Sequence, residues 1–369
     1  MPKKSFLILC LFFSLLTLSL LAQEKTLEDF KHLSNENLKN FSLAQLTKLD
    51  PIQDKETLTG FSDSIQEYPE DYLFLSSLTA LSLSDAQVLA SWKGANLYLN
   101  GLTCLDKKVA QVLASKKGSD LSLDGLTFLD KEVAQILGSW KGRFLYLNGV
   151  TSLDKEVALA LTSGKGDGVF SNGVTPLDIE VALTLALRKG GGLILNGLTS
   201  LDIEVAQVLA SWNGHVLYLN GVTSLDKEVA QVLASFWRGD VLYLNGVTSL
   251  DKEVALALAS WKGSAHQLSL NGVTSLDKEV ALALASWKGK RLYLNGVTSL
   301  DKEVALALAS WKGIKASPSW KENDHLFFNY QLFLNGLIFL DKEVAQELKK
   351  FEGMLRTSDE IQAILTETD

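Results

Sequence analysis

Along residues 293–313, YLNGVTSLDKEVALALASWKG, two hydrophobic rhythms follow one another. Leu292 and Leu294 flank Tyr293 at the two-residue period of a strand. After Asp301 the period lengthens: Val304, Leu308 and Trp311 fall at i, i+4 and i+7 with Ala305 beside them, one face of a helix. Asp301 stands where its carboxylate caps the helix start, and Gly313 where a left-handed residue ends it. The same stretch occurs letter for letter at 243–263, and at 269–289 with only Ser269 in place of the leading Tyr.

Counting from the first Leu of the LxLNG pattern, eleven repeats begin at Leu73, Leu97, Leu121, Leu145, Val169, Leu193, Leu217, Leu242, Leu268, Leu292 and Leu332. Most steps are 24 residues; one extra residue enters near Phe236, two in GSAHQ and sixteen after Gly313. Eleven repeats exceed the minimum of about three that stacked arrays need to bury a core. A strand leading through a helix to a parallel strand crosses over right-handed. Strands sit about 4.8 Å apart and helices roughly 8–10 Å apart, so the array is expected to bend. The pattern therefore predicts an α/β fold: a right-handed β-α solenoid with a parallel sheet on the concave face and helices on the convex face. The recurring Asn-Gly leaves an alternative open, a two-residue hairpin turn between short antiparallel arms.

The repeat resembles a leucine-rich repeat of the short-helix bacterial kind, in which an LxLxG strand leads into an Asp-started helix; Leu292, Leu294, Gly296, Asp301 and Leu308 carry the likeness in one copy, and it covers residues 73–353. The resemblance implies an arc-shaped binding scaffold. It departs at Val297, where the family usually places an Asn, Cys or Thr that forms a buried hydrogen-bond ladder; Asn295 lies two residues earlier.

The ends differ from the repeats. Residues 1–22 place two lysines before an apolar run and Ala22, the layout of a secretory signal peptide, shorter than a membrane span. Residues 23–72 are expected to form an N-terminal cap with a helix in TLEDFKHLSNENLKNF, and residues 354–369 a C-terminal cap whose TSDEIQAILTE suggests a capping box between Thr357 and Glu360. An insertion, 314–331, interrupts the period and carries Trp320, Phe327, Phe328 and Tyr330, either as a contact loop or folded back on the helices.

Composition narrows the chemistry. Charged residues make up 21% with a formal net charge of −8, which argues against nucleic acid or anionic lipid as partners, since both are bound through Lys and Arg. Without the signal, no membrane insertion is expected. Loss of Cys10 with it leaves Cys104 alone, so packing rather than an internal disulfide must hold the fold. The glycines between Gly164 and Gly173 lack the order of a phosphate cradle. The repeated LDKE is accounted for by helix capping and the helix dipole rather than by calcium, which needs six to eight oxygens from one tight loop. His32, His215, His266 and His325 sit in unrelated places, with no nucleophile beside a base. No enzyme, metal or cofactor is expected.

What repeats is a surface. The residues between the core leucines face away from the core. There the second position is aromatic in eight repeats, including Tyr98, Tyr146, Tyr218, Tyr243 and Tyr293, and the fourth is Asn in nine, including Asn100, Asn148, Asn220, Asn245 and Asn295. Rings and amides in rows suit a protein surface or an envelope glycan; they equally serve as cross-strand contacts. The Trp near the helix end at residues 92, 140, 212, 237, 261, 287 and 311 keeps one phase and is expected in the core. The sequence thus points to an exported scaffold, periplasmic, cell-surface or secreted, that mediates protein interaction or adhesion through its concave face. A glycan-binding protein and a structural spacer are the alternatives.

Overall fold

The structure, a computed structural model, describes residues 72–367 apart from 76–78, 92–93, 164–167, 171, 189–190, 263–266 and 315–329. The expected signal peptide, nearly all of the N-terminal cap, Trp92, and Trp320, Phe327 and Phe328 of the insertion lie outside the described residues. The chain divides into two compact bodies, Met1–Gly173 and Val174–Asp369.

Each body alternates three-residue strands with helices of two to three turns. The first holds β1 (Tyr72–Phe74), β2 (Asn96–Tyr98), β3 (Asp120–Ser122), β4 (Phe144–Tyr146) and β5 (Gly168–Phe170). The second holds β6 (Gly192–Ile194), β7 (Val216–Tyr218), β8 (Val241–Tyr243), β9 (Gln267–Ser269), β10 (Arg291–Tyr293), β11 (Gln331–Phe333) and β12 (Met354–Arg356). Within each body, neighbours in sequence pair in parallel, with the core leucines in register: Leu97 opposite Leu121, Leu217 opposite Leu242, Leu292 opposite Leu332. The hairpin alternative is therefore excluded, and the chain is a protein of stacked, leucine-rich β-α repeats.

The Asn-Gly pairs have another use. In nine repeats, among the described residues, the N–H three residues after the Leu that follows the strand bonds back to that Leu's carbonyl, as Val297 to Leu294 at 3.1 Å, turning the chain inward and burying Val297 completely. Among the described residues the only glycine with positive φ is Gly191, so these turns are neither of the primed hairpin type nor type II. Glycine is required by proximity: a Cβ on Gly296 would lie 2.1 Å from the carbonyl oxygen of Asn271 in the preceding repeat.

The helices begin as expected. Asp301 accepts the N–H of Val304 at 2.8 Å, and Asp130, Asp154, Asp202, Asp251, Asp277 and Asp341 do the same in their repeats. They end differently. The helix Lys302–Ala309 closes on Ser310, and Gly313 has no left-handed backbone. Its Cβ would strike the Gly289 carbonyl and Tyr330, while one on Gly289 would lie 2.1 Å from the Trp287 ring. The glycine of WKG lets the chain cross the face of the indole.

Those indoles form the inner column. Trp212, Trp237, Trp261, Trp287 and Trp311 are buried. Trp261 stacks on Trp287 with centroids 6.1 Å apart, Trp287 on Trp311 at 6.0 Å, and Phe351 ends the row 6.0 Å from Trp311. Trp311 Nε1 donates to the Trp287 carbonyl at 2.7 Å, Trp261 Nε1 to that of Trp237 at 3.1 Å. Tyr330, at the end of the insertion, is fully buried and meets Trp311 and Phe351 edge-on.

The C-terminal boundary moves. Residues 354–356, expected in a cap after the last repeat, form β12 and pair with β11, so the repeat pattern persists through a twelfth strand. The helix Asp359–Glu367 that follows receives its bond from Ser358, whose Oγ accepts the Ile361 N–H at 3.4 Å, and not from Thr357. Thr357 Oγ1 turns instead to Gln362.

Replacing Trp287 by Ala opens a cavity between two indoles and should cost about 3–5 kcal/mol. Gly289→Ala, which drives a methyl into the same ring, should cost about 1–3 kcal/mol. Urea denaturation of each variant measures both.

Candidate functional site

The sheet side away from the helices carries three rows: the first residue of each strand, the third, and the Asn of the turn. In the aromatic row of the second body, Tyr218 and Tyr243 stack face to face with centroids 4.4 Å apart and planes 8° apart, and Tyr293 stacks on Phe333 at 4.2 Å and 17°. Ser269 separates the two pairs. It is 1% exposed and donates to Asn245 Oδ1 at 2.6 Å. In the first body Ser122 likewise stands between Tyr98 and Tyr146, whose rings lie 6.4 Å apart and tilted. Tyr146, Tyr218, Tyr243 and Tyr293 are half-buried, whereas Tyr98 is only 2% exposed.

Burial, first of all, raises the pKa of every tyrosine in this row for which a shift is resolved. Tyr98 and Tyr146 are pushed well above the ordinary phenol value, and Tyr218 is raised. Tyr243 is pushed up to about 12 by burial, then by Tyr218 and Tyr293, with the nearby Arg291 charge opposing the rise. The Tyr293 hydroxyl reaches Gln267 Oε1 at 3.2 Å. Desolvation also raises Asp120, which accepts from Ser119 and Tyr146.

The asparagines form a ladder. The backbone N–H of Asn245 donates to Asn220 Oδ1 at 3.1 Å, that of Asn271 to Asn245 at 3.1 Å, that of Asn295 to Asn271 at 3.0 Å, and that of Asn335 to Asn295 at 3.0 Å. In the first body Asn100 accepts from the Asp124 N–H, Asp124 from Asn148 and Asn148 from Asn172. The hydrogen-bond ladder that Val297 made absent from its usual place is thus present two residues earlier. Each rung leaves the Nδ2 amide on the other side. Among the described residues those of Asn220, Asn245, Asn295 and Asn335 meet no partner, while that of Asn271 donates to Ser269 Oγ at 3.1 Å.

Two features escaped the sequence reading. The Lys of one LDKE reaches the Glu of the next: Lys107 to Glu132 at 2.7 Å, Lys131 to Glu156 at 2.9 Å, Lys227 to Glu253 at 3.0 Å and Lys302 to Glu343 at 3.1 Å. These pairs are exposed, so each adds little and salt weakens it. The signal was present, since Lys and Glu recur at one phase. The other is Arg291, first residue of β10, which carries the charge beside Tyr243; the variable place before each leading Leu was the signal for it.

No protein-family model matches the sequence, and no curated protein matches it. Among solved structures the chain is similar to one from the crystal structure of the Rad7 and Elc1 complex in yeast, with a TM-score of 0.48, 15% identity, and coverage of 86% of this chain and 82% of that one. It is also similar to an internalin (inlF) from Listeria monocytogenes, with a TM-score of 0.37, 17% identity, and coverage of 78% and 86%. A third is a chain of the TLR13–ssRNA13 complex, with a TM-score of 0.39, 16% identity, and coverage of 87% and 52%.

Asn271→Ala should cost about 1–3 kcal/mol by orphaning the Asn295 N–H, whereas Asn271→Asp, which reproduces the rung that Asp124 supplies, should cost less; thermal denaturation compares them. Tyr243 keeps its proton to a higher pH folded than unfolded. The stability it lends is therefore complete below the ordinary value of 10.0 and fades as pH rises through about 12. In a difference titration against Tyr243→Phe, the missing phenolate absorbance should appear near the upper value.

Proposed function

We propose that the chain is a binding scaffold for a protein partner and that the sheet side opposite the helices is its contact surface. The observation that carries this reading is the coincidence of two rows on that side: half-buried rings from β7 to β11, and beside them amide donors with no partner among the described residues. Aromatic side chains that keep an exposed edge, flanked by hydrogen-bonding groups, are what protein interfaces bury at their centres.

The stacking also bears on the glycan alternative. A sugar packs on the flat face of a ring, and within each pair the rings cover one face of each other. What remains outward is largely edge and hydroxyl, which favours a protein surface. With residues 1–22 read as a secretory signal, the scaffold works beyond the membrane it crosses, in the periplasm, at the cell surface or in the medium.

The helix side offers a matched control. Leu256, Leu282 and Leu306 are exposed at one position of three successive helices. A variant with Tyr218, Tyr243 and Tyr293 all changed to Ala should lose the proteins that the wild type retains from an extract of its source, while one with Leu256, Leu282 and Leu306 changed to Gln keeps them. Equal retention by both would remove the sheet side as the contact surface and leave a spacer as the better reading.

A further inference from the structure

The two bodies differ in the charge they place on this side. In the first, Asp120 on β3 and Asp124 after it lie in the three rows, and Arg143, just before β4, lies with its guanidinium 5.0 Å from the Phe144 ring centre and its charge opposing the rise at Asp120. In the second, from β6 to β12, the same rows contain no Asp or Glu; the charged groups there are Arg291 and, on the last strand, Arg356. In a chain of net charge −8, an acid-free stretch across seven strands runs against the composition.

Arg291 lies where the ring row is interrupted. Ser269 on β9 leaves a place without an aromatic, so the uncovered faces of Tyr243 and Tyr293 look toward one another across it, and Gln267 lies alongside. Among the described residues no carboxylate and no hydrogen-bond acceptor meets the guanidinium, and its Nε is shielded from solvent without a partner. Arginine presents a planar fork of donors that matches a carboxylate with two parallel bonds, and a partly desolvated setting strengthens such a pair.

We propose that Arg291, between the Tyr218–Tyr243 and Tyr293–Phe333 pairs, anchors an aspartate or glutamate carboxylate from an acidic segment of the partner, with the amide row bonding the segment's backbone. The proposal rests on the reading of this side as a protein-binding surface. It commits to a peptide carboxylate rather than a uronic acid because the amide donors suit peptide carbonyls and each ring already has one face stacked.

Labelled poly-L-glutamate, titrated into the full chain at low salt, tests it, with polygalacturonate as the carboxylated-glycan arm. Poly-L-glutamate should bind the wild type and weaken as salt is raised. Arg291→Gln should lose roughly tenfold in affinity, the size of one charge-assisted pair, and Arg291→Glu more. Arg291→Lys, which keeps the charge without the fork, should fall between. Lys252→Glu, a charge reversal at a helix start, should bind as the wild type does, and melting curves confirm that each variant is folded. Undiminished binding by Arg291→Gln, no binding of poly-L-glutamate by the wild type, or Arg291-dependent binding of polygalacturonate alone would each overturn the proposal. If Arg291→Gln retains the protein partners that the triple Tyr variant loses, the anchor is wrong and the protein-binding reading stands. If both variants retain them, that reading falls as well.

Discussion

Every repeat must fit against a copy of itself shifted along one direction, and the tightest point of that fit is the turn after each strand. There the glycine of one repeat lies so close to a carbonyl of the one before that no side chain can be admitted: Gly149 against Asp124, Gly221 against Asn196, Gly272 against Asn245. With the turns pinned at contact distance, strand pairs of three residues hold register, although so short a pair would be marginal alone. The other interactions inherit the same translation. Indole lies on indole, carboxamide oxygen meets the next N–H, and lysine meets the next glutamate. Single repeats gain little from any one of these, and the array gains them again at many of its steps.

The parallel strand-helix alternation was legible because the change of hydrophobic period recurs in phase, and because a pattern repeated through Leu97, Leu217 and Leu292 averages out local ambiguity. The burial of the tryptophans was legible for the same reason. Glycine misled. At Gly313 the sequence suggests a left-handed helix end, since glycine at that place commonly has that use, but the cause is crowding by the Gly289 carbonyl and the Tyr330 side chain. A one-dimensional reading sees backbone freedom in glycine more readily than it sees an absent Cβ.

The surface was legible as composition and less so as geometry. That Tyr and Asn face away from the core follows from strand alternation. Which asparagine atom is engaged does not, because Oδ1 and Nδ2 are distinguished only when the adjacent strand is in place. Nor does the sequence show that Tyr218 and Tyr243 cover one another while Tyr243 and Tyr293 do not. Ser269 marks that gap, but in the sequence it is merely the one substitution in an otherwise identical repeat. Arg291 has no repeat to support it, so its significance depends on the acids that are absent around it in the fold.

The ladder also bears on how the molecule ages. Asn followed by Gly is the pair most prone to lose its amide, by attack of the glycine nitrogen on the side-chain carbon, and the chain has such a pair in nine of its turns. Tethering of the carboxamide oxygen by the next repeat restrains the rotation that this attack requires. Where hydrolysis does occur with the main chain intact, the product is an aspartate, and Asp124 already performs that duty by accepting the Asn148 N–H at 2.9 Å. Chemical wear at these positions therefore alters the charge of the surface before it loosens the stack.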